Sequence, residues 1–129
     1  MFEAHKVKTL IIDDDAEVLR TLKKIVTKKG HLVWAFESAL SALDYLKKEP
    51  VDLILSDLKM AEMDGIQFIS QAKVLCPQAP MILVTGFASI ETAVSAIQMG
   101  AFDYLRKPFE IKKIYEVIDR ALASKKRSE

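Results

Sequence analysis

The chain has 129 residues, half of them hydrophobic and 29% charged, which fits one globular domain rather than a disordered segment. Lys plus Arg (19) nearly balances Asp plus Glu (18), and the net charge of +1 argues against nucleic-acid binding by bulk charge, leaving only a local patch open. The single cysteine, Cys76, excludes a disulfide framework or a multi-thiolate zinc site, and no apolar run is long enough to span a membrane.

Apolar strand runs and helical periodicities alternate along the chain. Val7 to Ile12 is short, apolar and rich in branched residues, and predicts a buried strand. Val18, Leu19, Leu22, Ile25 and Val26 recur at helical spacing, and Lys29-Gly30 predicts the end of that helix. Leu32 to Phe36 predicts a second strand, with Trp34 as packing. Ser38 predicts the N-cap of a helix through Lys48 with Ala39, Leu43 and Leu46 inward. After Pro50, Val51 to Ser56 predicts a third strand. Asp64-Gly65 opens a helix carrying Ile66, Ile69 and Ala72, and Met81 to Thr85 predicts a fourth strand. Ile90, Ala93, Val94 and Ile97 mark a helix ended by Gly100, Phe102 to Arg106 predicts a fifth strand, and Ile111 to Leu122 a last amphipathic helix. The polar tail from Ser124 to Glu129 is expected to fray or to begin a linker. His5 and His31 are expected at the surface, and Cys76 as an inert residue before Pro77.

Five strand–helix pairs of these lengths imply a doubly wound α/β fold: a parallel five-stranded sheet between two helical layers. Such sheets bind ligands beyond the carboxyl ends of their strands. The chemistry-bearing residues fall there. The first strand ends in Asp13-Asp14-Asp15, the third in Asp57, the fourth in Thr85, and the fifth in Lys107-Pro108. Clustered carboxylates repel unless a cation joins them or one is protonated. All-oxygen ligands favour a hard cation such as Mg²⁺. A lysine and a hydroxyl beside a nucleophilic carboxylate suit phosphoryl transfer, with Asp57 as the nucleophile. Three aspartates in the first turn, and no glycine-rich phosphate loop, argue against a nucleotide or flavin. Asp15 reads as the N-cap of the first helix rather than as a metal ligand.

These segments together, Leu10-Ile11-Ile12-Asp13-Asp14-Asp15, Asp52 to Asp57, Val84-Thr85-Gly86 and Asp103 to Phe109, resemble the receiver domain of bacterial two-component response regulators; the resemblance covers Lys6 to about Ala123 and implies a receiver domain over residues 1–123. The resemblance implies a flavodoxin-like fold. It also implies Asp57 as phosphoacceptor, and Mg²⁺ held by Asp13, Asp14, Asp57 and the backbone carbonyl of Lys59. By the same resemblance Thr85 and Lys107 would contact phosphoryl oxygens, Gly86 would leave room for the phosphodonor, Tyr104 would be a switch aromatic, and the Lys107–Pro108 bond would be cis.

The family usually has Met-Pro after the acceptor strand; here Met60-Ala61 is expected to leave the loop from Leu58 to Asp64 freer. Lys59 and Phe87 flank the expected path of the attacking water and are candidates to tune hydrolysis of the acyl phosphate.

At subfamily level the stretch from Met81 to Phe109 resembles receivers of ATP-driven enhancer-binding activators. That implies a cytoplasmic signalling protein with a sensor histidine kinase as partner. It also implies a homodimer through the fourth helix, fifth strand and fifth helix, and DNA only indirectly, through an output domain. The length is used up by one receiver, so output is expected to lie in a partner or a downstream domain. Two other functions compete. A haloacid-dehalogenase-like phosphatase would use Asp13 as nucleophile, but Glu17 stands where its motif wants a small or hydroxyl residue and no cap domain is evident. A degenerate receiver acting as a constitutive docking module fits poorly with a complete residue set.

Overall fold

A computed structural model describes residues 6–60, 63–86 and 90–128. In chain order the elements are β1 (Lys8–Ile12), α1 (Ala16–Lys28), β2 (Leu32–Phe36), α2 (Ala39–Lys48), β3 (Leu53–Ser56), α3 (Gly65–Leu75), β4 (Met81–Thr85), α4 (Ile90–Gln98), β5 (Asp103–Arg106) and α5 (Ile111–Ser128). The sheet is parallel throughout, in the order β2-β1-β3-β4-β5. This is the doubly wound, flavodoxin-like arrangement, and its strand order reverses between β1 and β3.

The three central strands are buried on both faces, which explains their nearly unbroken apolar sequences. Alternate residues serve opposite layers. Leu10, Ile12, Ile54, Met81 and Leu83 face α2 and α3, where Leu43, Leu46, Phe68 and Ile69 meet them. Ile11, Leu53, Leu55, Ile82 and Val84 face α1 and α5, against Leu22, Ile25, Ile114 and Ile118. Because Cβ direction alternates along each strand, slipping β1 by one residue would exchange these two sets.

Helix ends follow local chemistry. Asp15 caps α1 by accepting from the N–H groups of Glu17 and Val18, Ser38 caps α2 through Ser41, and Asp64 caps α3 through Gln67. Helix α1 closes with Gly30 at φ 102°, the Gly30 N–H donating to Thr27 and the His31 N–H to Val26. Gly100, at φ 118°, ends α4 in the same way. Strands β1, β3 and β5 begin one or two residues later than their apolar runs suggested.

Two expectations change. His31 is buried, not superficial, and its Nδ1 shares a 2.8 Å hydrogen bond with the hydroxyl of buried Thr9. The chain does not end its helix at Ala123: α5 continues to Ser128, since lysine and arginine sustain a helix although they add no apolar face. In α4 the buried positions are the small Ala93 and Ala96, while Val94 and Ile97 stay exposed. Cys76 is buried, its thiol donating to the Val51 carbonyl, and Trp34 packs on the Tyr45 ring at 5.7 Å. Among the described residues no helix is long and apolar enough to cross a membrane.

Candidate functional site

The carboxyl ends of β1, β3 and β5 deliver Asp13, Asp57 and Lys107 to one edge of the sheet. Their backbones are tied there. The Asp57 N–H donates to Ile12, and the Lys107 N–H donates to the Thr85 carbonyl at the end of β4. Carboxylate oxygens of Asp13, Asp14 and Asp57 all lie within 4.8 Å of one another. Asp13 is fully buried, Asp57 nearly so, and Asp14 faces solvent.

Lys107 bridges the cluster. Its Nζ donates to Asp13 Oδ2 at 2.7 Å and to Asp57 Oδ2 at 3.3 Å. The other oxygen of Asp13 accepts from the Asp15 N–H at 2.9 Å. Asp57 Oδ1 accepts from its own downstream backbone, from Leu58 N–H at 2.7 Å and Lys59 N–H at 3.4 Å. The Asp57 carboxylate is therefore oriented through one oxygen by main chain and through the other by a cation.

Electrostatics reflect the crowding. Burial pushes the Asp13 carboxyl above the usual carboxylate range, against the opposing pull of Lys107 and the Asp15 N–H; the charge of Asp57 adds to the rise. For Lys107 burial is the largest single influence and favours the neutral amine. The combined hydrogen bonds and charges of Asp13 and Asp57 outweigh it, so its pKa is raised and it stays an ammonium. Two acidic charges around one lysine, with a third carboxylate at the rim, leave the edge short of positive charge. That donor set fits a hard divalent cation.

A cavity of about 380 Å³ opens over this edge, lined by Asp13, Asp14, Asp15, Asp57, Lys59, Met60 and Lys107. Thus Asp13, Asp14, Asp57, Lys59 and Lys107 meet as the sequence implied. Thr85 ends β4 in register with Arg106, but it is buried and is not part of the cavity lining. Gly86, next to Thr85, is exposed, and a Cβ built on it would meet no heavy atom within 4 Å. Lys107–Pro108 is cis, as expected. Tyr104 sits on β5 with its ring at the surface, lining an apolar groove of about 330 Å³ with Ala93, Val94, Ile97 and Gln98. Ala61 and Phe87 lie outside the described residues.

Sequence reasoning missed Ser56 and understated Gly65. The Ser56 hydroxyl donates to the Asp57 carbonyl at 2.9 Å, and Gly65 touches the same peptide. A glycine at the first position of a helix, where better helix formers fit, is the sequence signal that was available.

The comparisons agree with this geometry. The family model described as response regulator receiver domain matches residues 9–119. The chain is 39% identical over 118 residues to the DNA-binding transcriptional regulator NtrC of Proteus hauseri, covering 92% of this chain and 25% of that protein. It thus spans about a quarter of the length of the curated relatives it matches. A solution structure of a beryllofluoride-activated NtrC4 receiver domain dimer superposes with a TM-score of 0.86 at 29% identity, covering 92% of this chain and 98% of that one. A response regulator from Burkholderia pseudomallei, crystallised with a phosphorylated aspartic acid, a calcium ion and citrate, gives a TM-score of 0.84 at 29% identity, covering 96% of this chain and 72% of that one. With its fold, its acidic edge and the family match over nearly its whole length, the chain belongs to the response regulator receiver domain family, and it is similar to the receivers of NtrC-type transcription regulators.

Proposed function

We propose that this receiver takes a phosphoryl group from a phosphohistidine of a sensor histidine kinase onto Asp57. A bond forms between an Asp57 carboxylate oxygen and phosphorus as the nitrogen–phosphorus bond breaks, and the imidazole leaves with the electron pair. The observation that carries this reading is the bridge of Lys107 between Asp13 and Asp57, beside three carboxylates whose oxygens lie within 4.8 Å.

Asp13, Asp14, Asp57 and the Lys59 carbonyl are the groups that would hold Mg²⁺, which when bound supplies the positive charge that two anionic partners need to approach each other. Leu58 and Lys59 N–H groups keep the Asp57 carboxylate in one orientation. Lys107, charged and already 3.3 Å from Asp57, is placed to pair with a phosphoryl oxygen. Thr85 would offer its hydroxyl to another.

The acyl phosphate then acts as a switch. The phosphate adds negative charge and acceptor oxygens that only the active state can satisfy, so populations shift toward it. Thr85 and Lys107 would move to the phosphoryl group, Tyr104 would turn inward, and the surface of α4, β5 and α5 would change. The apolar groove beside exposed Tyr104 supports that surface as the place where a second copy docks. In this reading the domain catalyses only its own phosphorylation and hydrolysis, acts in the cytoplasm, and reaches DNA only through an output domain. Lys59 and Phe87 would set the hydrolysis rate, and replacing each with alanine should change it.

Incubation with acetyl phosphate and Mg²⁺, followed by intact mass, tests the proposal. The wild type should gain one phosphoryl group, and Asp57→Asn should not. A wild type that gains none would instead favour a constitutive docking module.

A further inference from the structure

We infer that Gly65 and Ser56 are positioning residues for Asp57, together clamping the peptide that carries the phosphoacceptor; this rests on the proposed role of Asp57. Gly65 is the first residue of α3, and its φ is not in the left-handed region, so the backbone does not itself demand glycine. What demands it is space. A Cβ built on Gly65 would lie 2.5 Å from Leu58 Cα, 2.7 Å from the Asp57 carbonyl oxygen and 2.7 Å from the Leu58 carbonyl oxygen. All three are main-chain atoms, so no side chain can swing aside to relieve the contact. The Gly65 N–H also donates to the Leu58 carbonyl. The buried Ser56 hydroxyl donates to the same Asp57 carbonyl at 2.9 Å.

The clamped peptide matters because of what hangs on it. The Leu58 and Lys59 N–H groups that orient Asp57 Oδ1 follow directly, as does the Lys59 carbonyl. A shift of a few tenths of an ångström at Leu58 would move the carboxylate and its backbone donors together. Placement errors of that kind at a reacting group cost rate.

The test compares Gly65→Ala, Ser56→Ala and Gly30→Ala. Gly30, at φ 102° and remote from the cavity, serves as a matched destabilised control: its replacement strains the backbone without approaching the acceptor. Each variant is held at a temperature where circular dichroism shows it folded. The initial rate of phosphoryl mass gain from acetyl phosphate and the Mg²⁺ affinity by calorimetry are then measured. A drop in rate of about tenfold for Gly65→Ala and about threefold for Ser56→Ala is expected, with weaker Mg²⁺ binding in both and wild-type values for Gly30→Ala. Rates within twofold of wild type and unchanged Mg²⁺ affinity in folded Gly65→Ala and Ser56→Ala would overturn the inference. If Gly65→Ala does not fold, Ser56→Ala decides alone on the same criteria. A wild-type chain that takes no phosphoryl group would overturn the role of Asp57 instead, and the Mg²⁺ comparison, which needs no transfer, would still decide whether the clamp shapes the site.

Discussion

The ammonium of Lys107 lies 2.7 Å from the carboxylate of Asp13, a residue 94 positions away, and closer than it lies to Asp57. The cation that would meet a phosphoryl group in the proposed transfer is thus held mainly by the buried carboxylate beside Asp57. This arrangement sets the stability of the resting site as well as its readiness to react.

Removing that cation should therefore destabilise the fold. Lys107→Ala would leave the fully buried Asp13 facing Asp57 with no ammonium between them. Breaking a buried pair from one side costs about 3 kcal/mol. Urea denaturation without divalent cations should show a loss of this size. A loss below about 1 kcal/mol would mean that the pair behaves like an exposed one.

Divalent cations should act in the opposite sense. Three carboxylates with oxygens within 4.8 Å gain a counter-charge when Mg²⁺ binds, and the unfolded chain has no such site. The Tm of the wild type should rise with Mg²⁺ concentration, and that of Asp14→Asn should rise much less. Parallel responses in the two proteins would place the cation elsewhere.

His31 predicts a separate dependence on pH. Burial lowers its pKa from the ordinary 6.5, and the Lys29 ammonium adds to this, against weaker pulls from Asp119 and Asp52. The unfolded chain then takes up the proton first. The stability contributed by neutral His31 is present in full above about pH 6.5 and lost as pH falls below it. The difference in urea midpoint between wild type and His31→Gln should shrink on going from about pH 7.5 to about pH 5.5. A difference that does not change would show that the buried ring does not titrate there.

The α4–β5 surface carries the assembly prediction. Val94, Ile97, Met99 and Tyr104 are each at least 40% exposed, an apolar cluster of the kind that marks an interface. With beryllofluoride and Mg²⁺ the chain should sediment as a dimer, and Ile97→Asp should return it to monomer without loss of Tm. A wild type that stays monomeric with and without beryllofluoride would contradict dimerisation through this face.

Much of this was legible in the sequence because strands buried on both faces must be apolar throughout, and their ends must turn polar where they leave the sheet. Asp13 stands out against Ile12, and Thr85 against Val84, for that reason. Contacts set by register across the sheet were not legible. His31 looks like a loop residue until β2 pairs with β1 and brings it to Thr9. Gly65 looks like an ordinary helix start until α3 is laid on the Asp57 peptide. The exposure of Val94 and Ile97 was hidden because helical periodicity alone cannot tell an inward apolar face from an outward one. The length of α5 was hidden because charged residues that end an apolar stripe do not end a helix.

The central claim is that Asp57, and no other carboxylate of the cluster, carries the phosphoryl group. Fragment mass mapping of the chain after brief exposure to acetyl phosphate and Mg²⁺ tests it directly. The account predicts a single acyl phosphate on Asp57 that disappears in Asp57→Asn. A phosphoryl group found on Asp13 would contradict it and would favour a phosphatase with its nucleophile on the first strand.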